Sequence, residues 1–329
     1  MTRIKVAAVL LALAASAVAL AASPLREARP LMGTVVEIVA DGAPEASLHA
    51  AAGAAFREMG RLSGMMNHYD PKSVVSAIND AAGERPVPVP PELLEVLEQA
   101  RSLSGRSGGA FDVTVGALRG WRFRRDDPRL PSPAEVAAQR ALVDYRKLRL
   151  ERAAPSAFLA ERGMKIDLGG IAKVYILYAG LRELARMGVA RAMVNGGGDV
   201  VAFGGGWRIG VRDPRSPLEL IGTLEIDRGA VLSSGDYERH FDRDGRRYHH
   251  ILDPRTGYPA EGPHGVTLMS ESIDAANGLG VAIMVLGKEA GIRLLASAPG
   301  VEAVIVDRDD RVWMSPGFRS RLREAKRTR

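Results

Sequence analysis

The stretch Ser233–Ala260, SSGDYERHFDRDGRRYHHILDPRTGYPA, limits the possible fold more than any other part of this chain. Its centre holds an Asp-Gly pair, Asp244 and Gly245, with aromatic and aliphatic residues on both sides. Both residues of the pair tolerate positive φ, which a tight two-residue turn requires. The pattern therefore predicts a β-hairpin.

The predicted hairpin would collect polar side chains at one end of a small sheet. It would bring Ser234 and Asp236 back towards His250 and Asp253. Each flanking turn has an ordinary explanation, because Ser-Gly-Asp, Asp-Pro and Thr-Gly are common turn formers. Hydroxyl, carboxylate and imidazole groups gathered in one place are also typical of sites that handle phosphates, and both interpretations stay open for these turns.

Composition sets outer bounds on what the chain can be. Its 329 residues, 46% hydrophobic and 26% charged, predict one large or two closely packed globular domains. The net charge of +6 favours a phosphorylated small molecule over nucleic acid, because aromatic residues make up only 5% and no basic stacking surface is evident. With no cysteine, disulfides, thiolate metal sites and cysteine nucleophiles are excluded.

The first 21 residues have the pattern of a secretory signal. Basic Arg3 and Lys5 precede the apolar run Val6–Leu20, and small residues follow at a cleavage site. We therefore expect an exported protein, periplasmic or attached to the outer face of the inner membrane, with a retained anchor as the alternative. The mature domain would span residues 22–329 and end in a basic tail from about Arg319, interpreted as a frayed helix end.

Strands and helices are predicted along the rest of the chain from hydrophobic periodicity and capping signals. The predicted strands are Val35–Ala40, Trp207–Arg212 and Leu218–Ile226, and the predicted helices are Ala46–Leu62, Pro91–Leu103, Ser132–Leu142 with a Ser132 and Glu135 capping box, and Ile171–Met187.

Two glycine-rich turns are the other candidate ligand contacts. A strand is expected to deliver Asp167 into the turn Gly169–Gly170, with Lys173 at the start of the following helix, where the helix dipole favours phosphate. The glycine spacing fits neither a Walker loop nor a Rossmann fingerprint, and close helix packing is the alternative explanation. Asn195–Val200 is a second such turn, either a plain tight loop or backbone pressed against something flat or anionic.

Together these motifs resemble the ApbE family of FAD:protein FMN transferases, and the likeness runs from about Pro30 to about Phe318. The motifs that carry the resemblance occur in the family's order: Met32–Thr34, Phe111–Gly116, Asp167–Lys173, Asn195–Asp199, Ser233–Tyr237 and His250–Gly257.

The resemblance implies an α+β flavin-transferase fold with mixed or antiparallel sheets and flanking helices. It implies that the protein binds FAD in an extended cleft and cleaves its pyrophosphate with help from Mg²⁺. The FMN half would pass to a threonine hydroxyl of an acceptor protein, a component of a membrane electron-transfer complex, and AMP would leave. Positioning and charge neutralisation suit such an in-line attack on a pyrophosphate.

Family roles carry over to matching positions of this sequence. The resemblance implies catalytic roles for His250, Asp253 and Asp236, and metal ligation by the Gly170 carbonyl and by positions 277 and 281. The positions it places beside FAD are Met32, Tyr69, Asp112, Val113, Thr114, Asp167, Lys173, Ser234, His250 and Ile251.

One departure from the family concerns the metal. Aligning on Val285–Gly287 puts Asn277 and Val281 where the family has an aspartate and a threonine. Asparagine offers an uncharged oxygen and valine offers no ligand, so the Mg²⁺ site is predicted to be weakened or lost. Asp274, one helical turn earlier, could substitute only if the helix is shifted or bent.

Two function classes follow. The first is an exported flavin transferase that remains active with an altered metal shell. The second is a divergent relative that binds FAD or another flavin without transferring it and serves as a carrier or as a partner of a membrane electron-transfer complex. Asn277 and Val281 favour the second class. The residues that favour the first are Lys173, Ser234, Asp236, His250 and Asp253.

Overall fold

A computed structural model describes residues 23–124 and 126–324. The predicted signal segment, residues 1–21, and the end of the basic tail, residues 325–329, lie outside the described residues. Within the described ranges, no helix combines the length and apolar character that a membrane span needs.

An eight-stranded sheet forms the centre of the fold, and every neighbouring pair in it is antiparallel. Both faces are covered, because Val36 and Ile38 belong to one apolar cluster and Val39 to another. In spatial order the strands are β1 (Leu25–Leu31), β2 (Thr34–Asp41), β8 (Arg191–Gly196), β9 (Asp199–Phe203), β12 (Gly229–Gly235), β15 (Gly265–Ser270), β16 (Val301–Val306) and β17 (Val312–Met314).

Smaller antiparallel sheets surround this centre. They comprise β10 (Trp207–Asp213), β11 (Ser216–Ile226) and β18 (Leu322–Glu324); β13 (His240–Arg243) and β14 (Arg246–His249); β3 (Val87–Pro88), β7 (Ser156–Leu159) and β6 (Leu148–Glu151); and β4 (Arg122–Phe123) with β5 (Pro128–Arg129).

The helices flank the sheets, and α1 (Glu45–Met66) packs along α5 (Ala172–Arg186). A β-carbon at Gly180 of α5 would lie 2.6 Å from Met59 Sδ of α1, so the glycine lets the helices approach closely. The helices are α1 (Glu45–Met66), α2 (Val74–Asp80), α3 (Pro91–Arg106), α4 (Pro133–Arg140), α5 (Ala172–Arg186), α6 (Ile273–Ala276), α7 (Leu279–Leu286), α8 (Lys288–Ala296) and α9 (Pro316–Arg321), with a 3-10 turn at Tyr145–Lys147.

The structure confirms the α+β fold with antiparallel sheets and flanking helices. The predicted hairpin is the β13–β14 pair, and both turn residues have positive φ, 51° at Asp244 and 72° at Gly245. The Ser132 and Glu135 capping box is present at the start of α4. Local sequence rules were sufficient for these elements.

Two local predictions were wrong. Residues before Asp167 form no strand, only an isolated parallel bridge between Lys165 and Val115. The Asn79 side chain occupies both backbone groups of Ile166, accepting from its N–H at 2.6 Å and donating to its carbonyl at 3.1 Å. The basic tail is helical only to Arg321, because residues 322–324 pair with β11 as β18.

Candidate functional site

Lys173 lies in the first turn of α5 and, within the described part of the chain, pairs with one carboxylate. Its Nζ is 2.6 Å from Asp199 Oδ2, and the other oxygen of Asp199 accepts the Ser233 backbone N–H at 2.9 Å. Asp199 is buried, whereas the Lys173 side chain is 32% exposed. The ammonium group is therefore anchored at a helix N-terminus that already favours anions.

The glycine turns lie close to other parts of the predicted site. The Asp167 carboxylate accepts the Gly169 N–H at 2.7 Å and lies 3.4 Å from His68 Nδ1. In the second turn Gly197 has a φ of 65°, and a β-carbon there would lie 2.8 Å from Thr34 Oγ1. Only glycine fits this approach, which joins the Asn195–Asp199 turn to the β1–β2 turn.

The β1–β2 turn and the loop after α1 carry Met32 and Tyr69. Met32 has a φ of 53° and is partly buried against the main core. Tyr69 is 78% exposed, and its ring lies 3.9 Å from the His68 ring, centroid to centroid. The tyrosine therefore offers an open aromatic face beside the Asp167 carboxylate.

The adjacent histidines of the hairpin have opposite environments. His249 is buried; its Nε2 donates to the Ala260 carbonyl at 2.9 Å, and its Nδ1 accepts the Ile251 N–H at 3.4 Å. His250 is half-buried, and its covered Nδ1 has no hydrogen-bond partner among the described residues. Burial and the positive charge of Arg239 lower the pKa of His250 to about 3. At neutral pH the His250 imidazole is therefore uncharged and able to accept a proton.

Asp236 belongs to a separate cleft of about 590 Å³ beside His249. One of its oxygens accepts from His264 Nδ1 at 2.8 Å. The other oxygen is buried without a hydrogen bond, 3.5 Å from Arg247 Nη1. The described contacts thus join Asp236 to His264 and Arg247, and none joins it to His250.

Asp253 organises the turn that follows the histidines. Its carboxylate accepts from Arg255 Nε at 2.9 Å and from Arg255 Nη2 at 2.7 Å. The Trp121 indole fixes the far side of this turn by donating to the Gly257 carbonyl at 2.9 Å. Ile251 is buried before the turn, and its carbonyl accepts the Ala260 N–H at 2.9 Å.

The motif Phe111–Gly116 forms a buried platform beneath Asp167. The Asp112 carboxylate accepts from Thr114 Oγ1 at 2.6 Å and from the Tyr145 N–H at 2.8 Å, and burial raises its pKa. The Val113 carbonyl accepts the Asp167 N–H at 2.8 Å. The side chains of Asp112 and Thr114 are thus bound within the protein, and the motif positions the Asp167 loop.

A neutral corner, defined by Gly170, Asn277 and Val281, lies where α6 gives way to α7. A β-carbon at Gly170 would lie 3.6 Å from Val281 Cγ2. Asn277 is 5% exposed, and its Oδ1 has no hydrogen-bond partner among the described residues. Nearby, a β-carbon at Gly280 would lie 2.9 Å from the Ser234 hydroxyl. The corner thus contains a buried amide oxygen without a described partner and a valine methyl.

Asp274 lies on α6, just before this corner. Partial burial raises its pKa, and the charges that act on it are those of Glu95 in α3 and Arg182 in α5. Across residues 23–124 and 126–324, no cluster of three or more His, Cys, Asp or Glu side chains is arranged to hold a metal ion.

Sequence reasoning missed Arg239 as a residue of this site. The His250 N–H donates to the Arg239 carbonyl at 3.0 Å, which continues the hairpin pairing beyond His240 and His249. Counting backwards from the Asp244–Gly245 turn would have placed residue 239 opposite residue 250.

Comparisons with known proteins agree on one family. Residues 32–305 match the model of the ApbE family. The FAD:protein FMN transferase of Treponema pallidum is 32% identical over 89% of this chain and 87% of its own length. The one from Klebsiella pneumoniae is 34% identical over 76% of this chain and 80% of its own.

Solved structures give the same result for the fold. The ApbE protein of Thermotoga maritima has a TM-score of 0.84 at 33% identity, covering 92% of this chain and all of that one. The flavin transferase ApbE of Vibrio cholerae has a TM-score of 0.78 at 28% identity, covering 91% of this chain and 99% of that one.

Proposed function

This chain belongs to the ApbE family, and from that premise we propose that it transfers FMN from FAD to a hydroxyl group of an acceptor protein. One observation carries the proposal: the uncharged His250 imidazole, with an unpaired Nδ1, lies beside the cation Arg239 and under the influence of Lys173. A proton acceptor close to positive charge is the arrangement that hydroxyl attack on a phosphate requires.

FAD would lie along the motifs that the glycine turns bring together. The first turn of α5 and Lys173 would face the diphosphate, since a helix N-terminus and an ammonium group both favour anions. The flavin ring would lie by the open face of Tyr69 and the β1–β2 turn with Met32. The Asp112–Thr114 platform would hold the Asp167 loop against the nucleotide.

The proposed chemistry is a single displacement at phosphorus. The acceptor hydroxyl oxygen, a threonine by family resemblance, bonds to the phosphorus of the FMN half while the bond to the AMP phosphate oxygen breaks. The hydroxyl proton passes to His250, and AMP leaves with the bond's electron pair. A bound diphosphate raises the pKa of His250 by its negative charge and so makes the imidazole a better proton acceptor.

Asp253 and Asp236 take supporting roles in this proposal. Asp253 directs both oxygens at Arg255 and so fixes the turn that follows His250. Asp236 lies in the neighbouring cleft with His264 and would influence His250 only through the hairpin. His250 is therefore the residue proposed to contact the reacting atoms.

Magnesium is the ion that the family resemblance implies, and its protein ligands would come from the neutral corner. Mg²⁺ favours hard, anionic oxygens in an octahedral shell. Asn277 offers one uncharged oxygen, and Val281 presents a methyl group towards Gly170. These residues do not fit a tightly bound Mg²⁺ ion.

The neutral corner also supports the second candidate function, a flavin-binding carrier without transfer. A chain that binds FAD but cannot stabilise the charge that develops during phosphoryl transfer would hold the nucleotide intact. The partner in either case would be a protein of a membrane electron-transfer complex, and the site of action would be outside the cytoplasm. The secretory pattern of residues 1–21 supports that location.

In-gel flavin fluorescence distinguishes the two candidates. The purified chain is incubated with FAD and an acceptor protein that carries a target threonine, and the acceptor band is then examined after denaturation. The transferase predicts a covalent fluorescent band with FAD and none with FMN, which lacks the AMP leaving group. A protein that binds FAD but never labels the acceptor, with or without Mg²⁺, would instead be the carrier.

A further inference from the structure

Arg239 is a cation of the site without an acidic partner. Among the described residues, no carboxylate lies within ion-pair distance of its guanidinium, whereas Lys173 is held at 2.6 Å by Asp199. Arg239 is exposed, on the segment between β12 and β13. Its charge is therefore available to a ligand, while much of the charge of Lys173 is compensated within the protein.

The hairpin pairing directs Arg239 to the same side as His250. His240 and His249 are directly opposite in the β13–β14 register, and the next pair outwards is Arg239 with His250, joined by the 3.0 Å backbone hydrogen bond. Side chains of directly opposite residues in an antiparallel pair project to the same face. The guanidinium and the unpaired imidazole are thus neighbours.

The positive charge of Arg239 acts on two residues of the proposed FAD site, His250 and Tyr69. After burial, its positive charge is the largest cause that lowers the pKa of His250. It also opposes the rise in the pKa of Tyr69 that the surrounding protein and Asp167 produce. The charge of the guanidinium therefore acts on the imidazole and on the tyrosine at once.

We propose that Arg239 binds the diphosphate of FAD and provides the positive charge that the neutral corner does not. The inference rests on the proposed function, since it assigns a role within the same site. Arginine suits this role because its planar, permanently charged guanidinium can donate to two phosphate oxygens together. As the hydroxyl attacks, negative charge grows on the phosphate oxygens and on the leaving AMP oxygen, and the guanidinium stabilises both without forming a covalent bond.

Binding of three flavins to the full chain, with EDTA present, tests the proposal. FAD, FMN and riboflavin share the isoalloxazine ring but differ in phosphate content. Arg239→Gln should weaken FAD binding by about 10- to 100-fold, the range for a lost charged hydrogen bond. FMN binding should also weaken, riboflavin binding should not change, and Arg239→Lys should recover part of the affinity.

Arg243→Gln is the matched control, because Arg243 lies on the same hairpin, its side chain is 60% exposed, and its ion-pair partner among the described residues is Asp244 at 3.7 Å. It should leave all three affinities unchanged. A second readout is the pKa of His250 in the free protein, which should rise in Arg239→Gln because a nearby positive charge is removed. A purely structural role of Arg239 would not give this combination.

Equal FAD affinity in wild type and Arg239→Gln would overturn the assignment, as would an equal loss of affinity for riboflavin. The outcome is separable from that of the proposed function. Suppose that the wild-type protein fails to label an acceptor, and that Arg239→Gln still loses affinity for FAD and FMN but not for riboflavin. This result would rule out the transferase function and support the role of Arg239 in binding.

Discussion

The hairpin end of the site, defined by Lys173, Arg239 and His250, carries positively charged side chains, whereas the neutral corner carries no charged side chain. At the hairpin end, His250 and Arg239 are joined through their backbones, and Lys173 is anchored by Asp199. At the neutral corner, a β-carbon at Gly170 would meet the Phe111 ring and the Val281 methyl, and the buried Asn277 amide oxygen has no hydrogen-bond partner among the described residues. A chain can therefore keep its motifs in order while the charge that stabilises a diphosphate is concentrated at one end.

The largest effect expected from this difference concerns His250. We expect His250→Ala to lower the rate of FMN transfer by about 10²- to 10⁴-fold, the usual range for loss of a general base. The initial rate of acceptor labelling, followed by in-gel fluorescence at saturating FAD, measures the change. Labelling at the wild-type rate would show that the hairpin end does not carry the chemistry.

Charge restored to the neutral corner should have a smaller effect. Asn277→Asp combined with Val281→Thr supplies an anionic and a hydroxyl oxygen, so Mg²⁺ should bind at least ~10-fold more tightly than to wild type. Isothermal titration with Mg²⁺ in the presence of FAD measures this affinity. Val281→Thr alone is the control, since it adds a hydroxyl without charge. Equal Mg²⁺ affinity in wild type and the double variant would contradict the description of the corner.

The two adjacent histidines sharpen the comparison within the hairpin itself. His249→Leu removes both hydrogen bonds of the buried ring, so the Ile251 N–H loses its partner and the Ala260 carbonyl keeps the 3.3 Å hydrogen bond from Arg308 Nη2. The free energy of unfolding should fall by about 1–3 kcal/mol, while the transfer rate of the folded protein stays near that of wild type. Urea unfolding and the labelling assay together measure both quantities. A transfer loss as large as that of His250→Ala would mean that the histidines do not divide these roles.

The smallest expected effect is on stability in acid. Between the His250 pKa of about 3 in the folded protein and about 6.5 in the unfolded chain, the unfolded state binds more protons. Stability is therefore highest above that upper value and falls as the pH drops through this window. Wild type should lose more unfolding free energy than His250→Gln over the same pH range, by a margin that solvent screening of the partly exposed residue reduces. Urea titrations of both proteins at each pH measure this difference. A smaller loss in wild type than in His250→Gln would contradict the prediction.

Features set by local rules could be predicted from the sequence. Asp244 and Gly245 fixed the hairpin because a two-residue turn needs positive φ at both positions. Ser132 and Glu135 fixed the start of α4 through a reciprocal cap.

Features set by distant partners could not be predicted in this way. The pairing of Lys173 with Asp199 depends on how β9 and α5 pack, and that of Asp236 with His264 depends on β12 lying beside β15. The segment before Asp167 looked like a strand, but Asn79, far away in the sequence, satisfies the backbone of Ile166. Side chains that replace a strand partner leave no periodic signal.

The protonation of His250, followed by nitrogen NMR of the labelled full chain, tests the central claim most directly. The signal is assigned by its absence in His250→Gln, and the titration is run on the free protein, with FAD and with riboflavin. Burial and the charge of Arg239 predict a His250 pKa far below 6.5 in the free protein. A diphosphate lying against the imidazole predicts that this pKa rises with FAD and not with riboflavin. An ordinary His250 pKa in the free protein, or the same response to both flavins, would contradict the account.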